Sequence, residues 1–331
     1  MPAKSVTARP GIAVDFDSFK RRLEHVGRLI GHTPLYGFER VWRHDRVRVC
    51  AKLEWMQLGG SVKSRPAFNI IREAIARGDY GRGQVLLDAT SGNTGIAYSS
   101  VAAALGLPVR ICLPETASAE RIAIMRNLGA DLVLTPGEDG VDGSQRQVRE
   151  FYEADPARYF LADQYAKPDN WRAHYRTTGP ELIEQTEGAL THFVAALGTS
   201  GTQMGVGRYL REHHPQVRRV ALQPTAGDDF EGWKHMATTG RVPPIYDAEV
   251  HQDIVVVTPE EADAMVRRLA REEGLLVSPS AAGNLVGALR VAEKLDDGVV
   301  CTTFADDFSK YSADYARIFG TGTVVGGPAS G

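Results

Sequence analysis

A chain of 331 residues with 43% hydrophobic and 24% charged side chains has ordinary globular composition and room for two domains or one large α/β unit, which excludes disordered and fibrous classes. Its formal net charge of -3, with basic residues only in short groups such as Arg21-Arg22 and Arg218-Arg219, excludes a nucleic-acid surface as the main function. The opening residues carry no apolar leader core and no run of 18 apolar residues follows, so no membrane partner is expected and a cytoplasmic location is.

From residue 45 onward, short β-rich runs alternate with amphipathic stretches. Strands are expected at 47–53, 85–87, 109–113, 132–134, 159–161, 193–197, 220–223 and 299–304. Between the first two, Ala67, Ile70, Ile71, Ala74 and Ile75 recur at the spacing of one buried helix face, which stops at Gly78. Helical stretches follow later strands at 96–105 and 203–213. Segment 137–143, GEDGVDG, reads as a polar loop, and 163–170 as a crossing between two halves. The alternation predicts parallel sheets wrapped by helices, the doubly wound α/β class. Cys50, Cys112 and Cys301 lie in or beside apolar β-rich runs and read as core thiols. His213-His214 reads as a solvated helix end, and no metal site is expected.

Three segments carry chemistry. Residues 88–95, DATSGNTG, follow a strand and open a helix; glycine lets the backbone approach a ligand, and free N–H groups with three hydroxyls and an amide suit an anion. A capped turn needs only one such side chain. Residues 198–202, GTSGT, repeat the arrangement and form a phosphate cradle at a helix start. Neither is a dinucleotide fingerprint, because Gly81-x-Gly83 precedes its strand and Gly205-x-Gly207 lies inside a helix. Neither ends in the Gly-Lys-Ser/Thr of a nucleotide-binding loop. In the third segment, 59–66, Lys63 sits at a helix entrance, where a cation opposes the helix dipole unless the amine is neutral or bound as a Schiff base.

GHTPL at 31–35, AKLEWMQLGGSVKSR at 51–65, ATSGNTG, GTSGT, and SPSAAGN at 278–284 stand in the order and spacing of the cysteine synthase and cystathionine β-synthase family, which the chain resembles over residues 28–312. The resemblance implies two α/β domains with pyridoxal 5'-phosphate in the cleft between them. It implies a smaller domain at 57–165, a larger one from 1–56 and 166–320, and a tail at 321–331. Lys63 resembles the Schiff-base lysine, and Asn93 the residue that hydrogen-bonds the pyridoxal 3′-oxygen. Thr90, Ser91, Gly92, Asn93 and Thr94, joined by Gln164, resemble the loop that closes on the substrate α-carboxylate. Gly198, Thr199, Ser200, Gly201 and Thr202 resemble the phosphate cradle, and Ser280 the hydroxyl facing the pyridine nitrogen. A neutral serine there makes the ring a poorer sink for a long-lived carbanion, which favours prompt loss of a β-leaving group.

The expected activity is β-replacement on an activated L-serine, O-acetylserine or O-phosphoserine, through an α-aminoacrylate, with a small nucleophile as second substrate. The alternatives are dehydratase-type elimination, a specialised synthase of a non-protein amino acid, and a cofactor-binding paralogue without turnover. A homodimer is implied by resemblance. Lys234 and His235, in EGWKHM, fall where the family places a loop near the leaving group, and are candidates to meet an anionic substrate. Three positions depart from the family pattern: Ser64 replaces Asp, His32 replaces Asn, and Ser200 replaces Gly.

Overall fold

A computed structural model describes residues 16–320 except 82, 91 and 229, and the side chains of all of these but 16 and 17. Among the described residues, ten strands build two sheets. They are β1 (Leu35–Gly37), β2 (Val47–Leu53), β3 (Val85–Ala89), β4 (Val109–Pro114), β5 (Asp131–Thr135), β6 (Tyr159–Leu161), β7 (His192–Ala196), β8 (Arg218–Gln223), β9 (Asp253–Val256) and β10 (Gly298–Phe304). One sheet has the order β5-β4-β3-β6 and is wholly parallel. The other has the order β1-β2-β10-β7-β8-β9 and is parallel apart from β1.

Around them lie α1 (Phe16–Gly27), α2 (Ser64–Arg77), α3 (Asn93–Leu105), α4 (Ala119–Asn127), α5 (Gly140–Ala154), α6 (Asp169–Arg176), α7 (Thr178–Gln185), α8 (Gly201–His213), α9 (Pro259–Arg268), α10 (Pro279–Ala292) and α11 (Ser312–Phe319). Among the described residues no helix is long and apolar enough to cross a membrane. The chain thus has the doubly wound α/β character that the alternating pattern predicts.

All eight expected strands occur, with ends shifted by up to two residues. Two further strands carry a weak sequence signal: β1 is three residues long, and β9 is an edge strand whose Ile254 and Val256 face outward. The expected loop at 137–143 is corrected. Only 137–139 form a short 3-10 turn, and α5 begins at Gly140. Ser144 and Val148 are the buried pair at helical spacing, and Asp142 in the first turn suits the helix dipole, so the glycines mask a helix start. The stop of α2 is as expected: Gly78 is left-handed, at φ 79°, and its N–H reaches the carbonyls of Ala74 and Ile75. All three cysteines are buried free thiols.

The helices flanking the four-stranded sheet pack through Ile71, Ala97 and Val101, and α1 joins the same apolar cluster through Val26. A second cluster fills the six-stranded sheet's face under α9 and α10. What ties α2 to β2 and α7 is ionic. Arg65 is 2% exposed and bonds Glu54 at 2.6 and 2.8 Å and Glu181 at 2.6 and 2.8 Å, while Lys52 on β2 pairs with Glu181 at 2.8 Å. Thr33 donates to Glu54 at 2.7 Å, and Lys52 also donates to Gln185 at 2.8 Å. Two cations and two carboxylates sum to zero and fill one another's hydrogen-bonding capacity, the condition under which buried charge is tolerated. Arg65→Leu leaves the two carboxylates facing a single lysine. Removing one partner of such a network costs roughly 3–5 kcal/mol, so urea denaturation should show that loss; an unchanged midpoint would show that Glu54 and Glu181 find water instead.

Candidate active site

The carboxyl ends of β3, β7 and β10 run into three loops that line one cavity of about 370 Å3, the position where open α/β sheets bind ligands. Lys63, Thr90, Gly92, Asn93, Thr94 and Gln164 line it, as do all five residues of 198–202, Ser280 and Lys234. His235 is not among the lining residues, and Ser91 lies outside the described residues, as does the tail at 321–331.

Lys63 stands immediately before α2. The loop leading to it turns at Gly59 and Gly60, with φ of 85° and 61°, where a side chain would be strained, and a Cβ on Gly59 would also meet Ser64 Oγ at 2.7 Å. The end of β10 pins this loop: Val62 N–H donates to the Ala305 carbonyl at 2.8 Å, and Lys310 Nζ to that of Gly60 at 2.8 Å. No hydrogen bond to the Lys63 amine occurs among the described residues. Removal from water pushes its pKa below the ordinary lysine value, and Asp306 opposes that shift. A neutral amine is a nucleophile, and it also removes the conflict with the helix dipole.

In the 198–202 loop, close packing enforces glycine. A Cβ on Gly198 would lie 2.1 Å from the Gly232 carbonyl, and one on Gly201 would lie 2.0 Å from Asn170 Oδ1. Ser200 has φ 68° and a buried hydroxyl without a partner. Asn170 donates to the Gln164 carbonyl at 2.6 Å and reaches Thr199 Oγ1 at 3.5 Å. His174 lies 3.4 Å from Thr202 Oγ1 and 2.9 Å from Thr178 Oγ1, and burial pushes its pKa down to about 3, so it is a neutral ring. An N-terminal helix turn with forced glycines and an orphaned hydroxyl fits a phosphate. Two of the departures from the family pattern, Ser200 and His32 (φ 49°), hold left-handed backbone that Gly and Asn adopt more readily, and His32 is exposed. The third, Ser64, has a buried hydroxyl without a partner.

Across the cavity, Thr94 Oγ1 donates to Gln164 Oε1 at 2.6 Å, and Gly92 N–H donates to Thr90 Oγ1 at 3.2 Å. Asn93 opens α3 and donates to Asp306 Oδ2 at 2.8 Å. Gln164 follows Asp163, a left-handed residue at φ 37° whose carboxylate accepts from the N–H groups of Tyr165 and Ala166. Ser280 is the second residue of α10, and its hydroxyl lies 3.1 Å from that of the N-cap Ser278. Asn284, one turn on, bonds Ala196 N–H and the Thr303 carbonyl, which fixes α10 against β7 and β10.

Lys234 is held by its own N–H to the Leu197 carbonyl at 2.6 Å, and its amine lies 3.4 Å from Thr239 Oγ1. It borders both the cavity and an adjoining chamber of about 300 Å3 that also holds Arg149, Arg241 and Asp142. His235 has a buried Nδ1 without a partner. Asn170, His174, Asp306 and Tyr311 were not singled out by sequence. The signal for Asp306 is positional: it follows β10 as Thr90 follows β3 and Gly198 follows β7.

Asp88, the first residue of the 88–95 segment, lies near the end of β3. Burial pushes its pKa up to about 7, and Asp163 adds to the shift. An acid whose folded pKa is raised stabilises the fold fully only below its unfolded pKa, and loses that contribution as pH rises through the folded value. Thermal stability should therefore decline between about pH 4 and pH 7 through this residue, and Asp88→Asn should flatten the decline. A variant that keeps the wild-type slope would assign the pH dependence elsewhere.

Residues 26–306 match the family described as "Pyridoxal-phosphate dependent enzyme". The chain is 38% identical over 303 residues to a protein named "Cysteine synthase" from Aquifex aeolicus, covering 89% of this chain and 92% of that one. It is 39% identical over 282 residues to "Cysteine synthase B" of Pseudomonas aeruginosa, covering 85% and 93%. Among solved structures, an O-ureido-L-serine synthase superposes with a TM-score of 0.83 at 32% identity, over 92% of this chain and 96% of that one. A cysteine synthase from Entamoeba histolytica superposes with a TM-score of 0.83 at 30% identity, over 96% and 94%. A lysine, a phosphate-shaped helix start and a match that spans most of the chain agree: this protein belongs to the pyridoxal-phosphate-dependent enzyme family, with the architecture of its cysteine synthases.

Proposed function

We propose that this protein replaces the β-substituent of an O-activated L-serine with a small nucleophile, giving L-cysteine or a related β-substituted alanine. The reading rests on one arrangement: Lys63, the 198–202 cradle, Ser280 and the Thr90, Thr94 and Gln164 group border a single cavity. The names of its relatives support the same chemistry.

Bound pyridoxal phosphate supplies an electron sink that makes the substrate Cα acidic and its β-substituent able to leave. The chain's own residues do the rest. The helix start at 198–202 holds the phosphate. Ser280 offers a neutral hydroxyl to the ring nitrogen, and Asn93 an amide to the ring oxygen. Thr90, Ser91, Gly92 and Thr94, with Gln164, hold the substrate carboxylate. Lys63, kept short of its ordinary basicity, moves the Cα proton. Purified protein should be yellow, and Lys63→Ala should lose the borohydride-trappable covalent adduct. That adduct on another lysine would sink the assignment.

Groups that hold the α-carboxylate cannot tell one leaving group from another. Lys234, which lines both the cavity and the adjoining chamber, is the cation placed to do so; its neighbour His235 lies outside both linings. Losing one charge-assisted contact costs roughly 1.5–3 kcal/mol. Lys234→Ala should thus cut kcat/KM for O-phosphoserine by more than about tenfold and leave O-acetylserine nearly untouched. Equal losses for both donors would mean that the loop only packs.

We further propose the domain division at 57–165, supported by the separate four-stranded sheet of β3 to β6, with α1 packed on that smaller unit. A homodimer follows the commonest assembly of soluble enzymes, and sedimentation at micromolar concentration is its check. Three free buried thiols suit a reducing cytoplasm.

A further inference from the structure

Asp306 is fully buried where β10 ends, and four segments converge on it. Its Oδ2 accepts from Asn93 Nδ2 at 2.8 Å and from the Tyr311 hydroxyl at 2.8 Å, and Lys310 Nζ lies 3.6 Å away. Its carbonyl accepts from Ser278 N–H, the residue that caps the helix bearing Ser280. Lys310 in turn holds the Gly60 carbonyl in the loop that leads to Lys63. Its Oδ1 is buried without a partner. We propose that Asp306 is the positioning residue of this site: its carboxylate holds the Asn93 amide across the cleft, and its neighbour Ala305, whose carbonyl accepts from Val62 N–H at 2.8 Å one residue before Lys63, sets that carboxylate near the lysine. The inference rests on the cofactor reading above.

The amide geometry follows from what each group can offer. An ionised carboxylate only accepts, so the Asn93 amide must turn its nitrogen toward Asp306. One of its two N–H bonds is then committed, the amide plane is fixed, and the second N–H remains for the ring oxygen. Asn93 opens α3 in the four-stranded sheet, whereas Asp306 follows β10 in the six-stranded one, so this hydrogen bond spans the two halves of the cavity. Two donors and the Lys310 cation surround the Asp306 carboxylate. Its charge favours a protonated nitrogen on Lys63, against the desolvation that favours the neutral form. The other charged groups on this wall are Arg121 from α4, which lies 4.8 Å from the Tyr311 ring centre, and its ion-pair partner Glu231.

The test titrates the visible absorption of the cofactor held by Lys63 in the holoenzyme against pH. Asp306→Asn keeps the shape and removes the charge. The midpoint at which the Lys63 nitrogen loses its proton should fall by about 1 to 3 pH units. The value of kcat should fall about tenfold or more with the donor KM little changed. Asp306→Glu should recover part of the midpoint. Lys310→Met, which strips the counter-charge, should move the midpoint upward. Opposite signs in the Asp306→Asn and Lys310→Met variants cannot come from a general loosening of the fold. An Asp306→Asn midpoint equal to wild type, or shifts of the same sign in both variants, overturns the inference alone. Wild-type protein with no visible band overturns the proposed function and this inference with it.

Discussion

Arg65 is the joint on which the site depends. It lies in the first turn of α2, two residues past Lys63, and its guanidinium is clamped between Glu54 and Glu181. A planar fork with five donors can satisfy two carboxylates at once, which a lysine cannot do. The clamp joins the strand that carries Lys52, the helix that starts after Lys63, and α7 behind the cradle into one rigid corner. A lysine that must both hold a ring and move a proton needs its backbone fixed to a fraction of an ångström. An apolar corner would bury the same area without dictating the orientation.

With the corner fixed, the cavity is built from strand ends. Each of β3, β7 and β10 stops where its loop turns inward, and each loop brings a different chemistry: hydroxyls and an amide after β3, a glycine-bearing helix start after β7, and after β10 the Asp306 carboxylate, which reaches the cavity through Asn93. The loops also build one another. Asn170 excludes any side chain at Gly201, and the Gly232 carbonyl excludes one at Gly198, so the phosphate cradle is shaped from outside its own motif. The Asn93 to Asp306 bond then ties the first loop to the third.

Electrostatically the site keeps its polar groups neutral unless a partner is supplied. His174 behind the cradle is a neutral ring, and Lys63 is held below its ordinary basicity. Ionisable groups of opposite sign are paired, Asp306 with Lys310 and Arg65 with Glu54. An anionic phosphate and an anionic substrate carboxylate therefore meet backbone dipoles, hydroxyls and amides, and desolvation of Lys63 outweighs the opposing Asp306 charge. Lys234 is the cation that lines both chambers.

The sequence by itself determined the class of fold, eight of the ten strands, the stop of α2 and the motifs that meet in the cavity. These are local: strand alternation, helix periodicity, and glycines with hydroxyls at helix starts are written within a dozen residues. It passed over β1 and β9, short or half-exposed at their sheet edges, and read the start of α5 as a loop because glycines hide its periodicity. Only the tertiary structure decided that Asp306 faces Asn93, a pair 213 residues apart, that Lys234 lines the cavity while His235 does not, and that Asn170 and His174 back the cradle. Such contacts depend on how two sheets and their loops are set against each other, and no local pattern of residues encodes that distance.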